Sequence, residues 1–287
     1  MSVSWELDFY SRPILDDNEK KLWELLICSE DRTFEFSRYC QGSQANARWL
    51  ASAILEALDS CYEGGQLASG SLPDQVRYFR RPMSTIISRA CDSARLTAQP
   101  SRRTFALYEW LQERFQSVYP QHPGYQPLMP APASFEPATP QPLPPVLVGE
   151  GWQFVTLQKR DLENLQDWSI AFQAQLPPEL ARLDEQVLIP GLVIYSKRAV
   201  PLAGWMNGFE LAAIAYELDP KPQLLLETGI SERWLLARMT NAQQQQEAIA
   251  FEEAKQAAAN LHFIAVQSGP ESQEFAGFWV LQALSLV

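Results

Sequence analysis

Arginine side chains are concentrated in residues 76–103, and they are the groups in this chain best suited to bind another molecule. The stretch holds seven arginines, no lysine and one acid, Asp92, in a chain whose formal net charge is −11. Because like charges repel, the cluster is expected to face an anionic partner, either the protein's own acidic surface or an external polyanion. Guanidinium groups bind phosphates through paired hydrogen bonds. The arginines are Arg77, Arg80, Arg81, Arg89, Arg95, Arg102 and Arg103.

Aromatic rings lie among these charges, at Tyr78 and Phe79. On a strand, Arg77, Phe79 and Arg81 would share one face, because side chains alternate along an extended chain. Two cations on either side of a ring suit a nucleic-acid base stacked between two phosphates. The alternative is that Phe79 belongs to the core and the arginines extend from it into solvent.

Arg102 and Arg103 form a second candidate site. With Ser101 as N-cap, they are predicted to lie in the first turn of a helix, where the helix dipole disfavours cations by roughly 0.3–1 kcal/mol each. A phosphate bound there would meet both guanidinium groups and free backbone N–H groups. The alternative is that both arginines pair with acids nearby, such as Asp74.

Carboxylates raise the further possibility of a nuclease, with Asp8 on the first strand and Glu56 on the first helix. Two metal ions need more carboxylates than these two, and the fourth predicted strand ends in arginines where another acid would be required. Glycine-rich phosphate loops, G-x-S-x-G and HExxH motifs are missing from the sequence. We therefore expect a protein that is not an enzyme and needs no cofactor or metal.

Composition also predicts the compartment. The four cysteines are widely spaced and form no C-x-x-C pair, which is typical of free thiols in a reducing environment. The first residues resemble neither a signal peptide nor a Ser/Arg-rich import leader. No run approaches the roughly 18 apolar residues that span a bilayer. These features predict a cytoplasmic protein without a membrane span.

A proline-rich stretch divides the sequence, since ten of the 26 residues in 120–145 are proline. Such spacing favours an extended polyproline II spacer, although a PxxP ligand for a partner domain is an alternative. We predict an RNA-binding domain at 1–119, a linker at 120–147 and an α+β domain at 148–287.

Hydrophobic periodicity predicts an α+β protein with two lobes. The N-terminal lobe has the order β-β-β-α-β-α-β-α, which is that of the ribonuclease-H-like fold. Its predicted strands are 5–10, 22–28, 33–39, 75–80 and 95–99, and its predicted helices are 44–60, 83–94 and 102–118. In the C-terminal lobe, strands are predicted at 152–157, 187–195, 199–205, 210–218, 223–227, 261–267 and 275–284, and helices at 161–173 and 242–260.

Several short segments of the sequence resemble those of the Tab/Atab family of chloroplast and cyanobacterial proteins. The first is Trp5-Glu6-Leu7-Asp8-Phe9-Tyr10-Ser11-Arg12-Pro13, followed by Leu22-Trp23-Glu24-Leu25-Leu26. The C-terminal segments are more specific, and the resemblance spans both lobes. They are Thr228-Gly229, Trp234-Leu235-Leu236-Ala237-Arg238, Phe251-Glu252-Glu253-Ala254-Lys255, Leu261-His262-Phe263-Ile264-Ala265-Val266-Gln267 and Gly277-Phe278-Trp279-Val280-Leu281.

The resemblance implies a function. Members of the family bind A/U-rich single-stranded RNA in 5′ leaders and promote translation of photosystem mRNAs, chiefly those of photosystem I. Trp234-Leu235-Leu236 matches a recurring family tripeptide, although a tryptophan beside two leucines is also typical of a core. Together with the arginines, this predicts an RNA-binding set of Arg77, Phe79, Arg80, Arg81, Arg89, Arg102, Arg103, Arg233 and Trp234.

Three hypotheses therefore remain open from the sequence. The first is a non-catalytic translation activator that binds RNA, with the translation machinery as a further partner. The second is a protein-interaction or assembly factor for photosystem biogenesis, favoured by the acidic remainder of the chain and the proline-rich stretch. The third is a divergent metal-dependent nuclease that uses Asp8 and Glu56.

Overall fold

The computed structural model describes residues 3–127 and 138–284, and the chain forms two compact units that divide between residues 136 and 137. This division falls inside the proline-rich stretch, of which residues 128–137 lie outside the described residues. The described parts are not a continuous polyproline helix, because they include the 3-10 turn Tyr119–Gln121 and a short strand at Gln141–Pro142. A separate linker at 120–147 stays a prediction.

The N-terminal unit is built on one five-stranded sheet in the order β3-β2-β1-β4-β5. β1 to β3 are antiparallel neighbours, whereas β4 is parallel to both β1 and β5. The elements follow the predicted order β-β-β-α-β-α-β-α. Their bounds are β1 (Ser4–Leu15), β2 (Lys21–Ser29), β3 (Glu35–Gln41), α1 (Ala47–Glu63), β4 (Gln75–Tyr78), α2 (Ser84–Ser93), β5 (Ala98–Pro100) and α3 (Phe105–Glu113), which a π-helical turn, Arg114–Val118, extends.

Side chains alternate along β1, so one face of this sheet carries apolar residues and the other carries acidic ones. Trp5, Leu7 and Phe9 pack into the core formed with α1 and α2. Glu6 and Asp8 point to the opposite face, where Glu6 accepts a hydrogen bond from the first turn of α3. Both acids are buried. The α3 side of the sheet therefore combines a small apolar core with buried charge.

The C-terminal unit contains two sheets, a four-stranded one in the order β10-β11-β12-β6 and a five-stranded one in the order β7-β9-β13-β14-β8. Two helices, α4 and α5, pack with them in a shared apolar core. The bounds are β6 (Gln141–Pro142), β7 (Gly151–Gln158), β8 (Ile170–Gln173), β9 (Leu188–Tyr195), α4 (Ala199–Asn207), β10 (Leu211–Glu217), β11 (Gln223–Thr228), β12 (Glu232–Arg238), α5 (Ala242–Ala257), β13 (Leu261–Gln267) and β14 (Phe275–Gln282).

The mixed α+β class and the two-unit layout are confirmed, but two predicted elements of the C-terminal unit were wrong. The predicted strand 199–205 is helix α4, which buries Ala199, Leu202, Ala203 and Met206 at helical spacing. The predicted helix 161–173 is a 3-10 segment, Lys159–Asp167, followed by strand β8.

Strand β10 lies at the edge of its sheet, and side chains from α5 and β13 bind its backbone groups. The Ile214 N–H donates to Nε2 of His262 over 2.9 Å, and Lys255 Nζ donates to the Ile214 carbonyl over 2.8 Å. Two residues further along β10, the Tyr216 N–H donates to Glu252 over 2.9 Å. An unpaired strand edge is a template for pairing with other chains, and these side chains occupy it.

Replacing His262 by leucine is expected to lower the free energy of unfolding of the C-terminal unit by about 1–3 kcal/mol, because the buried Ile214 N–H loses its acceptor. Chemical unfolding followed by circular dichroism measures this loss. His262→Gln keeps an acceptor within reach of Ile214 and should lose less. Equal losses for the two variants would contradict the role of the imidazole nitrogen.

Candidate nucleic-acid interface

The parallel pairing of β4 with β5 brings two pairs of arginines to the same end of the N-terminal sheet. Tyr78 is the register partner of Pro100, and both strands end there. The Ser101 N–H donates to the Tyr78 carbonyl over 2.9 Å, which keeps the two chain segments together as they leave the sheet. Arg80 and Arg81 follow the C-terminal end of β4, and Arg102 and Arg103 follow that of β5. The two arginine pairs therefore lie at the same end of the sheet.

Three arginines of the cluster are exposed. Arg81 lies in the 3-10 turn before α2, Arg89 on α2, and Arg95 after it in a left-handed conformation with φ 61°. Within residues 3–127 and 138–284, no acidic side chain forms an ion pair with any of the three. Their charges are thus available to a partner.

Arg77 and Arg80 are neutralised inside the chain. Arg77 forms an ion pair with Glu30. Arg80 is 5% exposed and its Nε lies 2.8 Å from Oδ1 of Asp8. The assignment of Arg80 to an RNA surface is therefore corrected: its guanidinium is buried against a carboxylate.

Phe79 is also corrected, because it is 7% exposed and packs with Leu107 and Trp110 of α3. Strand β4 ends at Tyr78, so the alternation expected to align Arg77, Phe79 and Arg81 on one face does not continue. Phe79 belongs to the core and offers no ring to a base.

Arg102 and Arg103 precede helix α3 instead of lying in its first turn. The helix begins at Phe105, and the Arg103 N–H donates to Oγ of Ser101 over 3.0 Å. Both arginines are half-buried, and each already interacts with other groups of the chain. Their predicted conflict with the helix dipole does not arise. They still lie at the same end of the sheet as Arg81.

Phe105 is a candidate that the sequence reasoning missed. It is the first residue of α3, directly after the arginine pair, and its side chain is only partly buried. Tyr108 follows one turn later and is also partly buried. The sequence signal that could have identified Phe105 is its position two residues after Arg103. Phe79 stands at the same distance from Arg77.

A buried ion network fills the α3 side of the sheet. Asp8 binds Arg80, and Nη2 of Arg12 lies 2.9 Å from its second oxygen. Arg12 also donates from Nε to Glu24 over 2.8 Å, and Glu24 in turn binds Arg114. Burial by itself raises the pKa of Asp8, but the charges of Arg80 and Arg12 outweigh it and hold that pKa below its usual value. The Asp8 carboxylate is therefore ionised and held by two guanidinium groups.

The geometry does not assemble the nuclease site. Asp8 is fully buried among arginines, whereas Glu56 lies on α1, is only partly buried and pairs with Arg38 of β3. Among the residues that the structure describes, no group of three or more His, Cys, Asp or Glu side chains is arranged to hold a metal ion. Arg80 occupies the place at the end of β4 where another carboxylate would be needed.

In the C-terminal unit, strand β12 points Arg233 and Trp234 in opposite directions. Arg233 is 5% exposed and pairs with Glu217 and, over 3.7 Å, with Glu227. Its assignment to an RNA surface is corrected for the same reason as that of Arg80. Trp234 is partly exposed and donates from Nε1 to Thr228 Oγ1 over 3.0 Å.

The rest of the family tripeptide follows the same alternation. Leu236 packs with Trp234 against the core that contains α4. Leu235 is the register partner of Leu225 and lies on the other face.

Comparison with known proteins settles the family. Residues 4–114 match the family model described as RNA-binding protein Tab2/Atab2 N terminal, and residues 130–282 match the one described as RNA-binding protein Tab2/Atab2, C-terminal domain. The chain belongs to the Tab2/Atab2 family of RNA-binding proteins. The resemblance drawn from the sequence segments is thereby confirmed, and RNA is the partner class that the family description supports.

Two Tab2/Atab2 relatives extend over nearly the whole chain. The protein TAB2 homolog, chloroplastic, of Zea mays is 39% identical over 288 residues, which cover 96% of this chain and 70% of the relative. The protein of the same name from Arabidopsis thaliana is 38% identical over 287 residues, covering 96% and 74%. No solved structure matches, so the likeness to ribonuclease H stays a prediction from topology.

The relatives also correct the predicted compartment. Both are named chloroplastic, which points to the chloroplast and contradicts the cytoplasmic prediction. Across the described residues, no helix has the length and apolar character needed to cross a membrane.

Proposed function

We propose that this Tab2/Atab2 family member binds A/U-rich single-stranded RNA in 5′ leaders and activates translation of photosystem mRNAs, chiefly those of photosystem I, without catalysing a reaction. RNA binding is the family's description across both units. The photosystem part is supported by the chloroplast naming of the relatives. A/U-rich leaders lack stable pairing, and their bases are therefore free to stack on protein side chains.

The observation that carries the proposal is that Arg81 and Arg89 are exposed and form no ion pair among the described residues, on a chain of net charge −11. Arg81 and Arg89 are eight residues apart, with exposed Thr85 midway, so they lie on one face of α2 and its preceding turn. We name Arg81, Arg89, Arg102 and Arg103 the arginine surface. Phosphates bind its guanidinium groups, and Phe105 is the ring best placed to stack a base.

Binding without cleavage is supported by the buried network. A metal-dependent nuclease needs carboxylates free to bind metal ions. Asp8 is instead bound by Arg12 and Arg80. The network holds Arg80, the residue before Arg81, and leaves Asp8 no oxygen free for a metal ion.

Replacing Arg81 and Arg89 together by glutamine is expected to weaken binding of a 20-nucleotide A/U-rich RNA about tenfold. The slope of log affinity against log salt should also fall by about 1.4, because each lost phosphate contact contributes about 0.7 for a single strand. Fluorescence anisotropy of labelled RNA at several salt concentrations measures both quantities.

The matched control is Arg198→Gln with Arg238→Gln, which removes two exposed arginines of the C-terminal unit and leaves the same net charge. This control should keep the parent affinity within about twofold. If both double variants weaken binding equally, RNA senses only the total charge and the arginine surface is misplaced. Parent affinity and slope in Arg81→Gln/Arg89→Gln would reject the surface outright.

A reporter mRNA tests the activating role separately. In a translation extract, the protein should raise the yield from an A/U-rich 5′ leader and leave unchanged the yield from a G/C-rich leader of equal length. Arg81→Gln/Arg89→Gln should lose this effect. RNA binding without any change in yield would reject translation activation while leaving RNA binding intact.

A further inference from the structure

The C-terminal unit differs from the arginine surface in charge. Residues 137–284 hold 17 acidic and 9 basic residues, so this unit has a net charge of −8 out of the chain's −11. Its buried Arg233 is neutralised by Glu217 and Glu227. A unit with this net charge attracts basic partners.

Three aromatic rings form a continuous, partly exposed patch on this unit. Trp205 of α4, Phe209 and Trp234 of β12 lie with ring centroids 4.9 Å (Trp205–Phe209), 4.9 Å (Trp205–Trp234) and 5.5 Å (Phe209–Trp234) apart. All three remain partly exposed. Exposed Pro201 lies one turn before Trp205 on α4. We name the three rings the aromatic platform.

A carboxylate is attached to the platform through a short chain of hydrogen bonds. Trp234 donates its indole N–H to Thr228 over 3.0 Å, and the Thr228 hydroxyl donates to Glu232 over 3.2 Å. Glu232 is exposed. The Trp234 indole N–H is therefore already bonded, and the Glu232 carboxylate lies two hydrogen bonds away from this ring.

We propose that the aromatic platform with Glu232 binds a basic segment of a partner protein, whose arginine or lysine side chains lie over the indole rings and pair with Glu232. Cations are attracted to the faces of tryptophan rings by the negative charge of the ring face. The three rings also pack against the apolar core of the unit, which fixes their positions for a partner. This surface is separate from the arginine surface and gives the protein a second partner, of opposite charge to RNA.

A labelled 15-residue peptide of repeated Arg-Gly-Gly provides the probe, and its Glu-Gly-Gly counterpart provides the negative control. Binding to the full chain is measured by fluorescence anisotropy without RNA. Trp205→Leu and, separately, Glu232→Gln should each weaken binding of the arginine peptide about five- to tenfold. Glu232→Gln can still accept the hydrogen bond from Thr228, so it decides the question even if Trp205→Leu fails to fold.

Glu253→Gln is the matched control, because it removes one exposed carboxylate from α5 of the same unit. It should change peptide affinity less than twofold. An equal loss for Glu253→Gln and Glu232→Gln, or no measurable peptide binding by the parent protein, would overturn the proposal.

The RNA and peptide measurements separate this inference from the proposed function. Arg81→Gln/Arg89→Gln should lose RNA affinity and keep peptide affinity, whereas Glu232→Gln should do the reverse. If Trp205→Leu or Glu232→Gln weakens RNA binding and leaves peptide binding unchanged, the platform stacks bases and the protein-docking inference is wrong.

Discussion

Replacing Arg12 by methionine is expected to lower the free energy of unfolding of the N-terminal unit by about 3–5 kcal/mol, because breaking a buried ion network leaves carboxylates without compensation. Arg12 is 1% exposed and joins Asp8 to Glu24, both of which are 0% exposed. Methionine fills a similar volume but donates no hydrogen bond. Asp8 would keep only Arg80, and Glu24 would keep Arg114 and the hydroxyl of Tyr119.

Chemical unfolding of the two proteins, followed by far-ultraviolet circular dichroism, measures the difference. Arg32→Met is the matched control, since Arg32 pairs with Glu35 and Glu113 at the surface of the same unit. Exposed pairs contribute about 0–1 kcal/mol, so the control should stay within that range. A similar small loss for Arg12→Met would show that the network does not stabilise the unit.

Replacing Glu6 by glutamine is expected to stabilise the N-terminal unit by on the order of 3 kcal/mol at pH 7. Burial raises the pKa of Glu6 from an ordinary value of 4.5 to about 8, and it outweighs the hydrogen bond from Leu107 and the charge of Arg77, which act the other way. The unfolded chain releases this proton near its ordinary pKa. Between those values the folded chain holds the extra proton, so ionisation favours unfolding as pH rises.

The sign of this effect determines the pH range in which it can be measured. The contribution of Glu6 to stability is complete below its unfolded pKa and is lost as pH rises through about 8. Burial lowers the pKa of His262 from 6.5 to about 3, so His262 affects stability only below about pH 6.5. Unfolding measured between pH 6.5 and 8 should show a fall of about 1–2 kcal/mol that Glu6→Gln lacks. Parallel pH profiles would contradict a buried, protonated Glu6.

The sequence predicted the N-terminal unit better than the C-terminal unit, and the reason is periodicity. Strand β1 alternates apolar and polar side chains, and α1 repeats its apolar residues at helical spacing. Both patterns favour one secondary structure over the other. Residues of α4 are apolar on almost every side, so the same residues also fit a buried strand, and packing against β14, β8 and β13 decides between helix and strand.

The candidate site was only partly predictable, because ion pairing joins residues that are distant in sequence. Asp8 binds Arg80 across 72 positions, and Glu24 binds Arg114 across 90. Nothing near Arg80 in sequence distinguishes it from Arg81, yet one is buried against a carboxylate and the other is exposed. The arginine cluster predicted which segment carries the charge, and tertiary contacts determine which guanidinium groups are available.

The covering of the β10 edge has a consequence during synthesis of the chain. His262 is made 48 positions after Ile214, the residue whose N–H it binds. At roughly 5–20 residues per second, a ribosome needs about 2–10 s to add that interval. During this time the nascent strand exposes its edge to neighbouring nascent chains. A stop codon placed after residue 241 would make this temporary exposure permanent, and the shortened product should accumulate in the insoluble fraction.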